Sequence, residues 1–159
     1  SAMGIENAIA AAEGLRDLLA QELARAEAER RHVRELDADG LFSWATARES
    51  FHAHAASLQD ELAEALRIAG ERWGLPEVSL ERLAEVEPRL TERLSTRLDE
   101  IRALAAQLAE ADRTNQLIVQ RALDCVSGYT AALAPKTVAY DRRGQAVASP
   151  PGALRHRSL

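Results

Sequence analysis

The run Pro88–Leu133, PRLTERLSTRLDEIRALAAQLAEADRTNQLIVQRALDCVSGYTAAL, decides the fold. Within it Ile101, Leu104, Leu108, Ala111, Asn115, Ile118, Ala122, Cys125, Tyr129 and Ala132 follow one another at alternating steps of three and four. That spacing places them on one stripe of a single α-helix. Between Arg89 and Leu133 there is no proline, and Gly128 is the one weak helix former. At about 1.5 Å per residue the helix runs roughly 70 Å, far beyond a globular average. A rod of that length cannot cover its own apolar edge, so other helices or a partner must.

Toward the N-terminus two further helices can be read. Ile5, Ala8, Ala12, Leu15, Leu19, Leu23, Ala26, Val33 and Leu36 mark a stripe interrupted at Arg30, and predict a first helix from about Ile5 to Leu36. Leu41, Trp44, Arg48, Phe51, Ala55, Leu58, Leu62, Ala65 and Ala69 step by three and four throughout, with Trp73 one turn on. Between the two, Asp37-Ala38-Asp39-Gly40 reads as a tight turn, with positive φ at Gly40 and Asp39 as the N-cap of the second helix. So short a turn makes the two helices antiparallel neighbours. Gly74 and then Pro76 stop the second helix. Leu80 to Val86 forms a short helical segment behind Ser79 as N-cap, and Pro88 suits the first turn of the long third helix.

The third helix ends near Ala134, because Pro135 cannot continue it. Thr137-Val138-Ala139-Tyr140 is extended in character, Asp141-Arg142-Arg143-Gly144 is a turn, and Ser149-Pro150-Pro151-Gly152 opens a disordered end. The expected fold is all-α: an elongated antiparallel helical hairpin plus a long third helix. Together they form a coiled-coil-like three-helix bundle over residues 1–134, followed by an extended, flexible C-terminal tail over residues 135–159.

Composition agrees. Aromatic residues make up 4% of the chain, so the core must be slender and built from Leu and Ala, and strand signals are nearly absent. Residues 1–134 carry a net charge of −9 and residues 135–159 a net of +4, together the −5 of the whole chain. An acidic body argues against nucleic acid, and the basic tail is sparse and lacks interleaved aromatics. No apolar run approaches membrane-spanning length, and no signal peptide precedes the first helix. Ser1-Ala2 reads as the remnant of a tag ahead of Met3. The single Cys125 rules out an intramolecular disulfide and fits a reduced, cytoplasmic setting. At a stripe position, it is expected to be a buried, inert thiol.

Catalytic and metal chemistry find little support. Glu29–His32 and Glu49–His52 are Glu-x-x-His pairs, each on one helix face, and two such pairs with two more glutamates build a di-iron site in a helical bundle. Arg30, Arg31 and Arg48 crowd the same level, and the third helix supplies no inward glutamate pair. Glu35, Asp37, Asp39 and Gly40 echo a calcium loop whose terminal ligand falls on Thr46, so the echo fails. No phosphate-binding loop or nucleophile motif is present. The expectation is a protein that is no enzyme and holds no cofactor or metal.

Three features carry a family resemblance. Leu15-Arg16-Asp17-Leu18-Leu19-Ala20-Gln21-Glu22 leads into the hairpin at Asp37–Leu41. The long helix carries Asn115 and then Leu117, Ala122 and Leu133. After it comes Thr137-Val138-Ala139-Tyr140-Asp141-Arg142-Arg143-Gly144-Gln145, a Tyr-x-x-x-Gly-x element. In these features, from about Leu15 to Val147, the chain resembles the FlgN-type flagellar export chaperones. The resemblance implies a cytoplasmic type III export chaperone. Its clients would be the hook-filament junction proteins FlgK and FlgL. Its C-terminal region would dock on the cytoplasmic part of the export gate protein FlhA.

The residues fit that role. A Leu/Ala/Ile groove can hold an amphipathic client segment by anchors at i, i+3, i+4 and i+7. The C-terminal half of the third helix outruns the other two and offers Leu117, Ile118, Arg121, Val126, Tyr129 and Leu133 as contacts. Asn115, counted with these candidate contacts, either fixes register as a buried Asn does in a coiled coil or faces water. Tyr140, aromatic and post-helical, is the expected anchor in a partner pocket. The alternative is that these side chains pack on the first helix or on a second copy. That would make the chain a homodimeric coiled-coil oligomerisation or adaptor module without a client.

Overall fold

Asp37 opens the second helix. Its side chain accepts a hydrogen bond from the Gly40 amide at 3.1 Å, satisfying one of the amides that a helix start leaves without a partner. The cap is thus Asp37 rather than Asp39. Gly40 lies inside the first helical turn instead of at a left-handed turn position, which shortens the connection further. The computed structural model describes residues 3–35, 37–75, 78–133, 139–140, 142–144 and 146–147. In order, the elements are α1 (Met3–Glu35), α2 (Ala38–Arg72), α3 (Leu80–Val86), α4 (Pro88–Leu133), β1 (Ala139–Tyr140) and β2 (Ala146–Val147). They divide into two compact units, Ser1–Ala122 and Leu123–Leu159. Among the described residues no helix is long and apolar enough to cross a membrane.

The first unit is all-α, with its core in two clusters. Ile5, Ala8, Ile9 and Ala12 of α1 meet Ala65 and Ala69 of α2, Leu83 of α3 and Leu94 of α4. Further along, Leu15, Leu19 and Ala26 meet Phe51, Leu108 and Ala111. Small residues set the spacing of the hairpin: a Cβ added at Gly4 would lie 2.9 Å from Ala69 Cβ and 3.0 Å from its backbone. α2 ends where expected, with Trp73 as C-cap and Gly74 at φ +65. Ser79 caps α3 by accepting from the Arg82 amide, and Leu83 on that short helix is fully buried.

The cross-helix bonds fix direction and register. α1 and α2 run antiparallel, so Glu22 reaches Arg48. α4 runs parallel to α1: Arg97 bonds Glu13, Arg16 bonds Glu100, and Asn115 bonds Ala26, across 84, 84 and 89 residues. Adding the 84-residue offset to Glu35 puts the end of α1 level with residue 119 of α4. The α4 stripe follows suit. It is buried at Leu108, Ala111 and Asn115, half-buried at Ile118 and Ala122, and exposed at Cys125. The thiol is therefore exposed and not the buried group that its stripe position suggested.

In the second unit the expected flexible tail contains a small antiparallel ribbon. Ala139 pairs with Val147 and Tyr140 with Ala146, and Gly144 at φ +75 serves the turn between them. The extended reading at Ala139–Tyr140 and the turn reading at residues 142–144 account for its first strand and its turn. Leu36, Pro76, Ala134, Pro135, Thr137, Val138, Asp141 and residues 149–152 lie outside the described residues, as do the side chains of Tyr129 and Tyr140.

Candidate functional site

The buried face of α1 differs from the sequence reading in one respect. Its strict three-and-four ladder is Ile5, Ala8, Ala12, Leu15, Leu19, Glu22, Ala26, Glu29 and Val33, all of them buried. Two glutamates hold core positions there, while Leu23 and Arg30 are only half-buried beside the stripe. Each glutamate must find a partner or bear the cost of a desolvated charge.

Glu22 finds one. Arg48 Nε donates to Glu22 Oε1 at 2.7 Å, and its two terminal nitrogens form a bidentate pair with Asp112 at 2.7 and 2.8 Å. Arg25 adds a second cation to Glu22 at 2.9 Å. The guanidinium also lies 4.7 Å over the Trp44 ring and 5.8 Å from that of Phe51. Asp112 first, and Glu22 after burial's opposing effect, hold the Arg48 proton more tightly than usual. One arginine at an apolar step of α2 thereby ties all three long helices together.

Glu29, two turns on, has no such partner. Only 4% of the residue is exposed, and its Oε1 has no hydrogen-bond partner among the described residues. Burial pushes its carboxyl above the ordinary value, His32 opposes this, and Asp37 adds to it. The neighbouring basic side chains are committed elsewhere. His32 Nδ1 bonds Asp37 at 2.9 Å, Arg30 bonds Asn115 Oδ1 at 3.3 Å, and Arg48 serves Glu22 and Asp112. Asp37 in turn is held below the usual carboxylate range by the Gly40 amide and then by His32. Glu29 and Trp44 line a cavity of about 330 Å³ with Val33, Leu41, Asn115 and Val119. Trp44 Nε1 is likewise buried without a partner.

The other polar pairs considered from the sequence do not converge on a metal. Glu49 and His52 face solvent while Glu29 is buried, and no group of three His, Cys, Asp or Glu among the described residues is placed to hold an ion.

The sequence-predicted contacts sort into three kinds. Asn115 is buried at 7% exposure. Its Nδ2 donates to the Ala26 carbonyl at 2.7 Å and its Oδ1 accepts from Arg30, so it fixes register. Ile118, Val126 and Leu133 fall on one face of α4 by helical spacing. Ile118 is half-buried, Val126 is 49% exposed and Leu133 is 66% exposed. Leu117 and Arg121, also exposed, share a different flank, since one residue turns the helix by about 100°. Tyr129 belongs to α4, and Tyr140 to β1, by backbone. The sequence reading passed over Phe42, exposed at 76% in the first turn of α2, and Leu123, exposed on α4. It also treated Glu29 only as half of a metal-binding pair. The seven-residue spacing of Glu22 and Glu29 on an alternating ladder was the available signal.

The family model of the FlgN protein matches residues 3–148. No curated protein and no solved structure matches the chain.

Proposed function

The chain belongs to the FlgN family, and on that premise we propose that it is a cytoplasmic, non-enzymatic export chaperone for the hook-filament junction proteins FlgK and FlgL. It keeps their amphipathic terminal segments from pairing with one another and hands them to the export gate. The observation that carries this reading is the change along α4. The face of α4 buried at Leu108 is exposed at Val126 and Leu133, which lie about five and seven helical turns further on. An apolar helical edge of this kind holds a partner helix through anchors one and two turns apart. The client is ordered only on binding, so affinity is moderate for the area covered and release remains available. Ile118, Val126, Tyr129 and Leu133 make the main contacts, with Leu117 and Arg121 on the flank. Tyr140 anchors the chain at the gate protein FlhA. The helical body spans residues 1–134, and residues 135–159 form the docking tail.

Cys125 is the single cysteine and is exposed beside this edge, so an environment-sensitive fluorophore on it reports docking directly. Titration with the FlgK C-terminal segment should shift its emission. Ile118→Ala with Val126→Ala should weaken capture at least tenfold while leaving the helical circular dichroism intact. Unchanged capture would put the client elsewhere. Tyr140→Ala should reduce retention on the cytoplasmic part of FlhA and leave client capture as it was; loss of both would make Tyr140 a structural residue.

A further inference from the structure

The cavity at the closed end of the hairpin has aliphatic and polar walls, and of its polar lining Asp112 is already paired with Arg48, and Asn115 with Ala26 and Arg30. Val33, Leu41 and Val119 are aliphatic, and Glu29 brings a carboxyl group that is almost wholly buried with one oxygen lacking a partner. An unpaired carboxylate in such a place is costly, and the inexpensive remedy is a cation that enters with it. The nearby arginines and His32 do not supply it: Arg30, Arg48 and His32 are each bonded to another residue, and Arg31 and Arg34 face solvent.

We propose that this cavity is a specificity pocket for one arginine side chain of the bound client helix. The arginine's methylene stem lies against Val33, Leu41 and Val119, and its guanidinium meets Glu29. Arginine suits the pocket better than lysine, because a guanidinium is more weakly hydrated than an ammonium and presents donors in a fork that matches a carboxylate. The acidic character of residues 1–134 favours a basic guest in the same sense. The proposal rests on the reading that the chain holds a helical client, and adds to it the chemical identity of one anchor.

The test uses the full chain carrying Trp73→Phe, which leaves Trp44, a wall of the cavity, as the only tryptophan. The probe is a synthetic amphipathic peptide with leucines at helical spacing and one central arginine. It is compared with the same peptide carrying citrulline, which keeps the shape and loses the charge. The arginine peptide should perturb Trp44 emission and bind at least tenfold more tightly than the citrulline peptide. That preference should disappear in Glu29→Gln, whose fold is checked by circular dichroism. Equal affinity for the two peptides, or a preference that survives Glu29→Gln, overturns the pocket while the client reading stands. If neither peptide binds, both fall.

Discussion

Glu22 and Glu29 stand seven residues apart on one face of α1, both buried, and they meet opposite surroundings. Around Glu22 an arginine from α2, an aspartate from α4 and a second arginine close a network in which every charge has a counter-charge. Around Glu29 there is a cavity and an oxygen without a bond. The repeat in sequence is the same; the difference lies in what α2 and α4 place opposite. A buried acid with its partner built in holds helices together. A buried acid without one weakens the fold, and it is at such positions that binding is to be sought.

The sharpest way to break this contrast is Arg48→Ala. It should orphan Glu22 and lower stability by about 3 kcal/mol, the scale for removing one partner of a buried pair. For a chain of this size that moves the thermal midpoint down by roughly 9 °C. Because most of the loss is the stranded charge, adding Glu22→Leu to Arg48→Met should recover much of it. A double variant as weak as Arg48→Ala would show that the network itself was the source of stability.

Glu29→Gln should do the reverse. Removing a charge that has no partner should stabilise the free chain by about 1 kcal/mol at neutral pH, or roughly 3 °C. A carboxyl whose folded pKa lies above its unfolded one holds its proton more tightly in the native state. The native chain therefore loses stability as pH rises through that interval, and keeps the loss above it. The advantage of Glu29→Gln should accordingly shrink as pH falls from neutrality into the carboxylate range. A variant less stable than the parent at pH 7 would mean that Glu29 has a partner after all.

The smallest effect belongs to Arg67, which bridges Glu64 and Glu71 on the exposed face of α2. Pairs of that kind are screened by solvent, so Arg67→Ala should leave the melting temperature unchanged within error. A clear drop there would undermine the distinction between interior and surface charge on which the comparison is built.

The helices of the fold were legible because periodicity and punctuation agree. Trp44, Phe51, Leu58, Ala65 and Ala69 keep their spacing, Gly74 takes the left-handed conformation that ends α2, and Pro88 starts α4. The cap was misread by two residues because Asp37 and Asp39 are equally good acceptors, and what selects the first is the pair of bonds it receives in the fold, from the Gly40 amide to its side chain and from the Leu41 amide to its carbonyl. Cys125 was misplaced because a stripe records which face of a helix is apolar, not how far its neighbours extend. The return strand Ala146–Val147 escaped because two paired residues leave almost no periodic signal. Glu22 and Glu29 escaped for a chemical reason: an apolar template passes over a glutamate and takes the nearest leucine or break instead.

The parallel course of α1 and α4 has a consequence for how the molecule is made. Partners on these two helices are 84–89 residues apart in the chain. At ribosomal speed, roughly 4–18 s separate their emergence. During that interval the newborn hairpin presents the side meant for α4 to a crowded cell. Two acidic groups, Glu22 and Glu29, interrupt what would otherwise be an unbroken sticky band, and so guard the unfinished molecule against clumping before its last helix arrives.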